Sequence, residues 1–149
     1  MADPKPSPRA VMREAMAACL RRISPDAGYR TDLGEQVDLE PAPVLAEDER
    51  AFITVVWSRQ ARPQAPAVQR THRETVFDVI AKVPADLDEA QQALDDAVAD
   101  IEQAMDDQAF RYPNGYQAPQ YRSAEPLTAG FGAGWIGVVV SYVSNIPIK

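Results

Sequence analysis

Apolar side chains recur at helical spacing near the start of the chain. The segment RAVMREAMAACLRRI follows Ser7 and Pro8 and places a set of residues on one stripe at intervals of three and four: Met12, Met16, Cys19, Leu20 and Ile23. Serine before proline is typical of a helix start, because serine accepts amide protons and proline is tolerated in the first turn. We expect an amphipathic helix with one buried face, ended by Pro25 and Gly28.

A second helical pattern follows Pro84. Asp86 and Glu89, three residues apart, resemble a capping box. The apolar positions of this helix then keep their spacing for about five turns: Leu87, Ala90, Leu94, Ala97, Val98, Ile101 and Met105. The other faces carry only acids among their charged residues: Asp86, Asp88, Glu89, Asp95, Asp96, Asp100, Glu102, Asp106 and Asp107.

Two runs rich in β-branched and aromatic residues predict a hairpin. AFITVVW, residues 51–57, leads into a stretch with prolines and arginines, and THRETVFDVIAKV, residues 71–83, returns from it. Both faces of the second run are partly apolar, which indicates a strand that is central or covered on both sides. The tip is too long for a tight turn, and loops of that length are usually functional or disordered. Residues 29–50 predict at most one short strand.

The remaining pattern completes the fold class. YQAPQYRSAEPL, residues 116–127, contains prolines and predicts an edge strand. WIGVVVSYVS, residues 135–144, predicts a closing strand. The order is typical of an α+β fold, with two helices packed on a mainly antiparallel sheet and a long hairpin loop. The length of 149 residues fits one domain over residues 1–149, with residues 1–7 as a mobile N-terminal extension.

Charge and composition exclude several kinds of protein. The net charge is −7, and residues 76–149 hold 4 basic against 11 acidic side chains. Because phosphate neutralisation supplies most nucleic-acid affinity, specific DNA or RNA binding is disfavoured. Apolar runs stay far below the roughly 20 residues of a membrane span, and the N-terminus lacks the apolar core of a signal peptide. We therefore expect no membrane contact and no export by that route.

Cysteine and histidine each occur once. Cys19 cannot form an intrachain disulfide, and its place on the apolar stripe indicates burial, with a reactive thiol as the alternative. His72 alone cannot supply a histidine-based metal site or a Cys/His cluster. We expect no metal and no cofactor.

The segment GAGWIG, residues 132–137, has the G-x-G-x-x-G spacing of a dinucleotide-binding loop. Such a loop opens a helix and precedes an acidic ribose ligand by about 20 residues. Here the glycines precede a predicted strand, and only twelve residues follow Gly137. We expect Gly130, Gly132 and Gly134 to form a turn that uses positive φ angles, and Gly137 to permit a close approach inside the strand.

Two charged segments leave alternatives open. The acids of the second helix form either a solvated face or paired carboxylates for acid–base or metal chemistry. The candidate pairs are Asp88 with Asp95 and Asp96 with Asp100. The arginines that flank the hairpin loop form either a solvated arm or a surface that docks protein: Arg59, Arg62, Arg70 and Arg73. No serine lies in a nucleophile motif and the histidine has no evident partner, so no catalytic residues are assigned.

The whole order resembles the tail terminator proteins of long-tailed phages, a group that includes minor tail protein U and tail-completion proteins. The resemblance covers residues 10–145 and consists of the order and length of elements, without a catalytic or metal motif. It rests on five segments: VMREAMAACLRRI, AFITVVW, THRETVFDVIAKV, DLDEAQQALDDAVADIEQAMDD and WIGVVVSYVS. The hairpin loop and residues 29–50 depart from the pattern.

The resemblance implies a ring, usually of six copies, that caps the head-proximal end of the tail tube in the virion. The ring would stop tube growth and join the neck, after assembly in the host cytoplasm. Its partners would be itself, the tube protein and a neck or head-completion protein, with DNA passing through non-specifically. Since a cyclic ring uses two different patches on each subunit, we expect the hairpin and the glycine turn to form interfaces, with these candidate residues: Trp57, Arg59, Arg62, Arg70, Phe131 and Trp135.

Three further hypotheses stay beside this one. Asp95, Asp96 and Asp100 could line the channel and repel passing DNA, or the helix that carries them could face outward. A neck or head-completion connector would share the size and fold class. A small enzyme or ligand-binding domain would use the glycine turn or the carboxylates.

Overall fold

The computed structural model describes residues 4–40, 51–84, 89–106, 111–127 and 134–149. Within these ranges lie two α-helices and five strands: α1 (Pro8–Leu20), β1 (Val37–Asp38), β2 (Phe52–Ala61), β3 (His72–Pro84), α2 (Ala90–Met105), β4 (Gln120–Leu127) and β5 (Trp135–Pro147). The strands form one sheet in the order β1-β2-β3-β5-β4, antiparallel except for the β1–β2 pair. The predicted α+β class is confirmed.

The start of α1 follows the sequence pattern. The Ser7 hydroxyl accepts a hydrogen bond from the backbone N–H of Ala10, and Pro8 occupies the first turn. The five predicted stripe residues are fully buried. Because Ser7 caps the helix, it belongs to the folded domain and not to an N-terminal extension. A 3-10 turn, Pro25–Ala27, follows the helix and ends at Gly28, whose φ is 93°.

The second helix begins later than its sequence pattern predicts. Its first residue is Ala90, and Glu89 occupies the N-cap position without a side-chain capping bond. Asp86, the predicted capping residue, lies outside the described residues. The predicted apolar stripe is confirmed from Leu94 onward, with Ala97, Ile101 and Met105 buried beside it.

The strand β3 is central, as predicted, because β2 and β5 pair with its two edges. The β2–β3 ladder extends to the Ala61–Glu74 pair, so the hairpin loop is confined to residues 62–71 and contains the 3-10 turn Pro66–Val68. The strand β4 pairs only with β5 and is the predicted edge strand. Segment 29–40 contributes only β1, which has two residues.

Both helices pack against the same face of the sheet and share one core with it. The cross-strand neighbours Ile53, Ala81 and Val138 lie on this face and are almost completely buried. The opposite face carries Ile80 and Val139, which are only partly buried. Among the described residues no helix packs on that opposite face. Within the described ranges the helices therefore cover one face of the sheet. The opposite face combines the buried residues Phe52, Thr54 and Val76 with partly buried apolar side chains.

Candidate functional site

The acids of α2 have different environments. The Gln91 amide donates a hydrogen bond to Asp95 at 2.9 Å, and the Gln92 amide donates one to Asp96 at 3.2 Å. Asp95 is exposed and Asp96 is half-buried, so both lie on the outer part of the helix. Their position in a channel stays a prediction.

Asp100 is fully buried, and the expectation that it faces a channel is wrong. Its carboxylate accepts hydrogen bonds from the backbone N–H groups of Arg30 and Thr31 at 2.8 to 3.1 Å, and from the Thr31 hydroxyl at 2.7 Å. The Arg30 guanidinium lies 3.6 Å from the same carboxylate. Asp100 therefore fixes the segment after α1 onto α2 and has a structural role.

The arginines at the hairpin loop divide into anchored and unanchored side chains. Arg73 donates to the carbonyl oxygens of Gln69 and His72, and Arg62 donates to the Gln69 amide oxygen at 2.7 Å. Arg59 and Arg70 make no ion pair with any described residue. The loop therefore has internal bonds at its base and cationic groups available to a partner.

Trp57 lies on the helix-bearing face of β2 and is 47% exposed. The Arg9 guanidinium stands 5.2 Å from its ring centre and also donates to the Gln60 side chain at 3.2 Å. This geometry is a cation–π contact. A register shift between Trp57 and Arg59 places the arginine on the opposite face of the strand from the tryptophan.

The second predicted interface, at the glycine turn, lies at the far end of the sheet. Gly134 has φ 78°, as predicted, and Trp135 begins β5. The Lys82 ammonium stands 4.3 Å from the Trp135 ring centre. Phe131, Gly130 and Gly132 lie outside the described residues.

The glycine turn and the hairpin loop with its arginines, called the arginine loop below, lie at opposite ends of the strands. β3 pairs at one end with Trp135 and at the other with Pro147. It has 13 residues, so its ends are about 40 Å apart. Trp135 therefore lies in a different patch from the arginines of the hairpin loop.

Gly137 lies inside β5, so the last glycine of GAGWIG opens no helix. A Cβ atom there would stand 2.9 Å from the Ala81 carbonyl oxygen and 3.1 Å from the side chains of Leu127 and Trp135. The predicted close approach is confirmed.

A mainly apolar cavity of about 360 Å³ lies on the open face of the sheet beside Trp135. Its described lining consists of Phe52, Thr54, Val56, Ile80, Lys82, Leu127 and Trp135. The Thr54 hydroxyl is buried and has no hydrogen-bond partner among the described residues. The cavity is large enough for a small apolar ligand or one anchoring side chain.

A wider groove of about 690 Å³ lies between the end of α2 and the edge strand β4. Tyr121 forms one wall, is 54% exposed, and meets Tyr142 edge to face with ring centres 6.0 Å apart. Glu102 and Asp106 form the opposite wall. Burial, together with the nearby Glu102 carboxylate, raises the pKa of Tyr142 well above its ordinary value.

The sequence pattern did not predict this groove. Tyr121 lies on the helix-bearing face beside Tyr142 because of the register shift between Tyr121 and Ser123, and a sequence pattern does not show such a shift. One feature of the sequence could have pointed to the groove: Tyr121 lies at the start of an edge strand that contains a proline.

The single cysteine and the single histidine have structural surroundings. Cys19 is buried, as predicted, with its Sγ atom 3.6 Å from the Tyr112 hydroxyl. Burial and this contact raise the pKa of Tyr112. The His72 ring bonds to the Thr71 hydroxyl and to the Gly115 carbonyl oxygen, at 2.7 and 2.9 Å. The histidine therefore links the hairpin base to the segment before β4.

The described ranges contain neither a metal-binding cluster nor a membrane-spanning helix. They contain no group of three or more His, Cys, Asp or Glu side chains placed to hold a metal ion. Neither of their α-helices is long and apolar enough to cross a membrane. Comparison with models of known families and with curated proteins found no match to this chain.

Proposed function

We propose that this protein is a tail terminator of a phage or phage-like particle. It forms a ring, usually of six copies, on the head-proximal end of the tail tube, stops tube growth and joins the tube to the neck. It assembles in the host cytoplasm and remains at the tail–neck junction. Its role is structural, it catalyses no reaction, and DNA passes through the ring without specific contacts.

One observation carries the proposal. The two helices cover a single face of the sheet, while Ile80 and Val139 of the opposite face are only partly buried. None of the described helices packs on this opposite face, and its partly buried apolar side chains are suited to contact with another subunit or with a tube. The order helix, hairpin, helix and closing strands, on which the resemblance rests, adds support.

The proposal is tested by adding the purified protein to growing tubes of the tail tube protein from its own particle. We expect tubes to stop growing at a substoichiometric ratio of added protein, with a ring at one end in negative-stain images. Bovine serum albumin at the same concentration is the control. Unchanged tube length, with no bound protein at either end, would contradict the proposal.

A second candidate function is the binding of a small apolar ligand. It is favoured by the open-face cavity of about 360 Å³ and by the unpaired Thr54 hydroxyl in its wall. Such a cavity requires one polar group on an otherwise apolar ligand. A monomeric protein that leaves tubes unaffected but is stabilised by a long-chain alcohol would favour this function over the first.

A further inference from the structure

A row of four aromatic residues crosses the helix-bearing face of the sheet. The register pairs Trp57 of β2 with Phe77 of β3, Phe77 with Tyr142 of β5, and Tyr142 with Tyr121 of β4. Directly paired residues in neighbouring strands lie on the same face. The two middle residues are buried, whereas Trp57 is 47% exposed and Tyr121 is 54% exposed. The row therefore ends in an exposed aromatic ring at each side of the sheet.

At both ends of this row, the outer strand edge has no strand partner within the described ranges. β1 pairs only with Ile53 and Thr54, so at the level of Trp57 no described strand covers the outer edge of β2. β4 is the edge strand on the other side. Each outer strand also has a register shift immediately after its aromatic residue, between Trp57 and Arg59 and between Tyr121 and Ser123. Such bulges reorient side chains and are frequent at functional edges.

The two ends of the row have opposite charge. Arg9 stands over Trp57, and within the described ranges it makes no ion pair. Glu102 is exposed in the groove beside Tyr121, and it also makes no ion pair there. The last turn of α2 contains no basic residue, and the negative end of a helix dipole attracts cations. The cationic Arg9 above Trp57 at one edge of the sheet is thus complementary in charge to the acidic groove beside Tyr121 at the other edge.

We propose that copies of this chain join side by side, with the Trp57–Arg9 end of one copy seated in the Tyr121–Glu102 groove of the next. This inference rests on the proposed ring, and it names the two patches that form the contact between subunits. The two patches differ and lie at opposite edges of the sheet, so the contact joins unlike surfaces and is head-to-tail. Head-to-tail contacts close into a ring when the rotation between copies allows it.

A charge-swap experiment tests the contact in the full-length protein. Arg9→Glu places two acids opposite each other, and Glu102→Lys places two bases there. Sedimentation velocity should show that each variant alone self-associates about tenfold more weakly than the unaltered protein. When the two variants alternate in an equimolar mixture, every contact again joins opposite charges. The new acid at position 9 then meets the new base at position 102, and the next contact restores the original pair of Arg9 and Glu102. The mixture should therefore assemble as the unaltered protein does.

Two matched variants control for net charge. Asp95→Lys changes an exposed acid on α2 away from the groove, and Lys149→Glu changes an exposed lysine after the end of β5. Both should assemble normally, and circular dichroism should show all four variants folded.

The inference is overturned if Arg9→Glu and Glu102→Lys assemble normally, if their mixture does not recover, or if the unaltered protein stays monomeric at every concentration. A monomer that still stops tube growth would remove this contact and leave the proposed function standing. Assembly through this contact without any effect on tube growth would support the contact and contradict the proposed function.

Discussion

At the scale of single residues, Asp100 is the acid with the clearest structural task. Its carboxylate accepts from two backbone N–H groups and one hydroxyl of residues 30 and 31. Each hydrogen bond to a charged group contributes more than a neutral one. A sequence pattern cannot separate this buried acid from its exposed neighbours, because all acids of α2 look alike until the partner segment is placed.

Replacing Asp100 should destabilise the fold strongly. Asp100→Asn removes one acceptor oxygen and points an amide donor at backbone donors, so we expect the free energy of unfolding to fall by about 3 kcal/mol. Urea denaturation measures this change. Asp95→Asn, on the exposed side of the same helix, should change it by less than about 0.5 kcal/mol. Equal effects of the two substitutions would contradict the assigned role.

The buried tyrosines predict a loss of stability in alkali. Burial raises the pKa of Tyr112 and Tyr142 above the ordinary value of about 10. The unfolded chain therefore releases these protons first. Their contribution is fully present below about pH 10 and is lost as the pH rises from there toward the raised values of the folded state.

Urea denaturation at about pH 8 and about pH 11 tests this prediction. The double variant Tyr112→Phe, Tyr142→Phe should lose less stability between the two conditions than the unaltered protein does. The measurement at the lower pH serves as the reference for any packing effect of the missing hydroxyls. An identical loss in both proteins would contradict the prediction.

At the scale of elements, β5 depends on one glycine. A methyl group at Gly137 would approach the Ala81 carbonyl oxygen of the neighbouring strand to 2.9 Å. Gly137→Ala should therefore lower the free energy of unfolding by about 1 to 3 kcal/mol, the usual range for overpacking. Thermal unfolding followed by circular dichroism measures the change. An unaltered or higher melting temperature would show that the strands can separate to accept the methyl group.

Periodicity was sufficient to predict α1, the central position of β3 and the edge position of β4. In those elements the apolar pattern and the proline positions directly reflect burial and hydrogen bonding. The start of α2 was predicted too early, because the acids before Ala90 resemble a capping box. The groove beside Tyr121 could not be predicted, because it forms only where a register shift in β4 meets the end of a helix distant in sequence.

At the scale of the whole molecule, the fold places basic and acidic residues near different edges of the sheet. The arginine loop and Arg9 lie toward β2, while the groove lined by Glu102 and Asp106 lies at β4. A net charge of −7 alone describes only an acidic protein. The placement of the charges gives the two outer edges of the sheet different chemistry, which the proposed cyclic assembly would require.

The strand order also has a consequence for synthesis on the ribosome. β5 lies between β3 and β4 in the sheet, although translation produces it after both. Until residues 135–147 have left the exit tunnel, Tyr121 has no partner ring and Phe77 is separated from the edge strand. A nascent chain therefore contains Trp57 before its own groove beside Tyr121 is complete. In the proposed side-by-side contact, the Tyr121–Glu102 groove is therefore complete only after β5 has inserted.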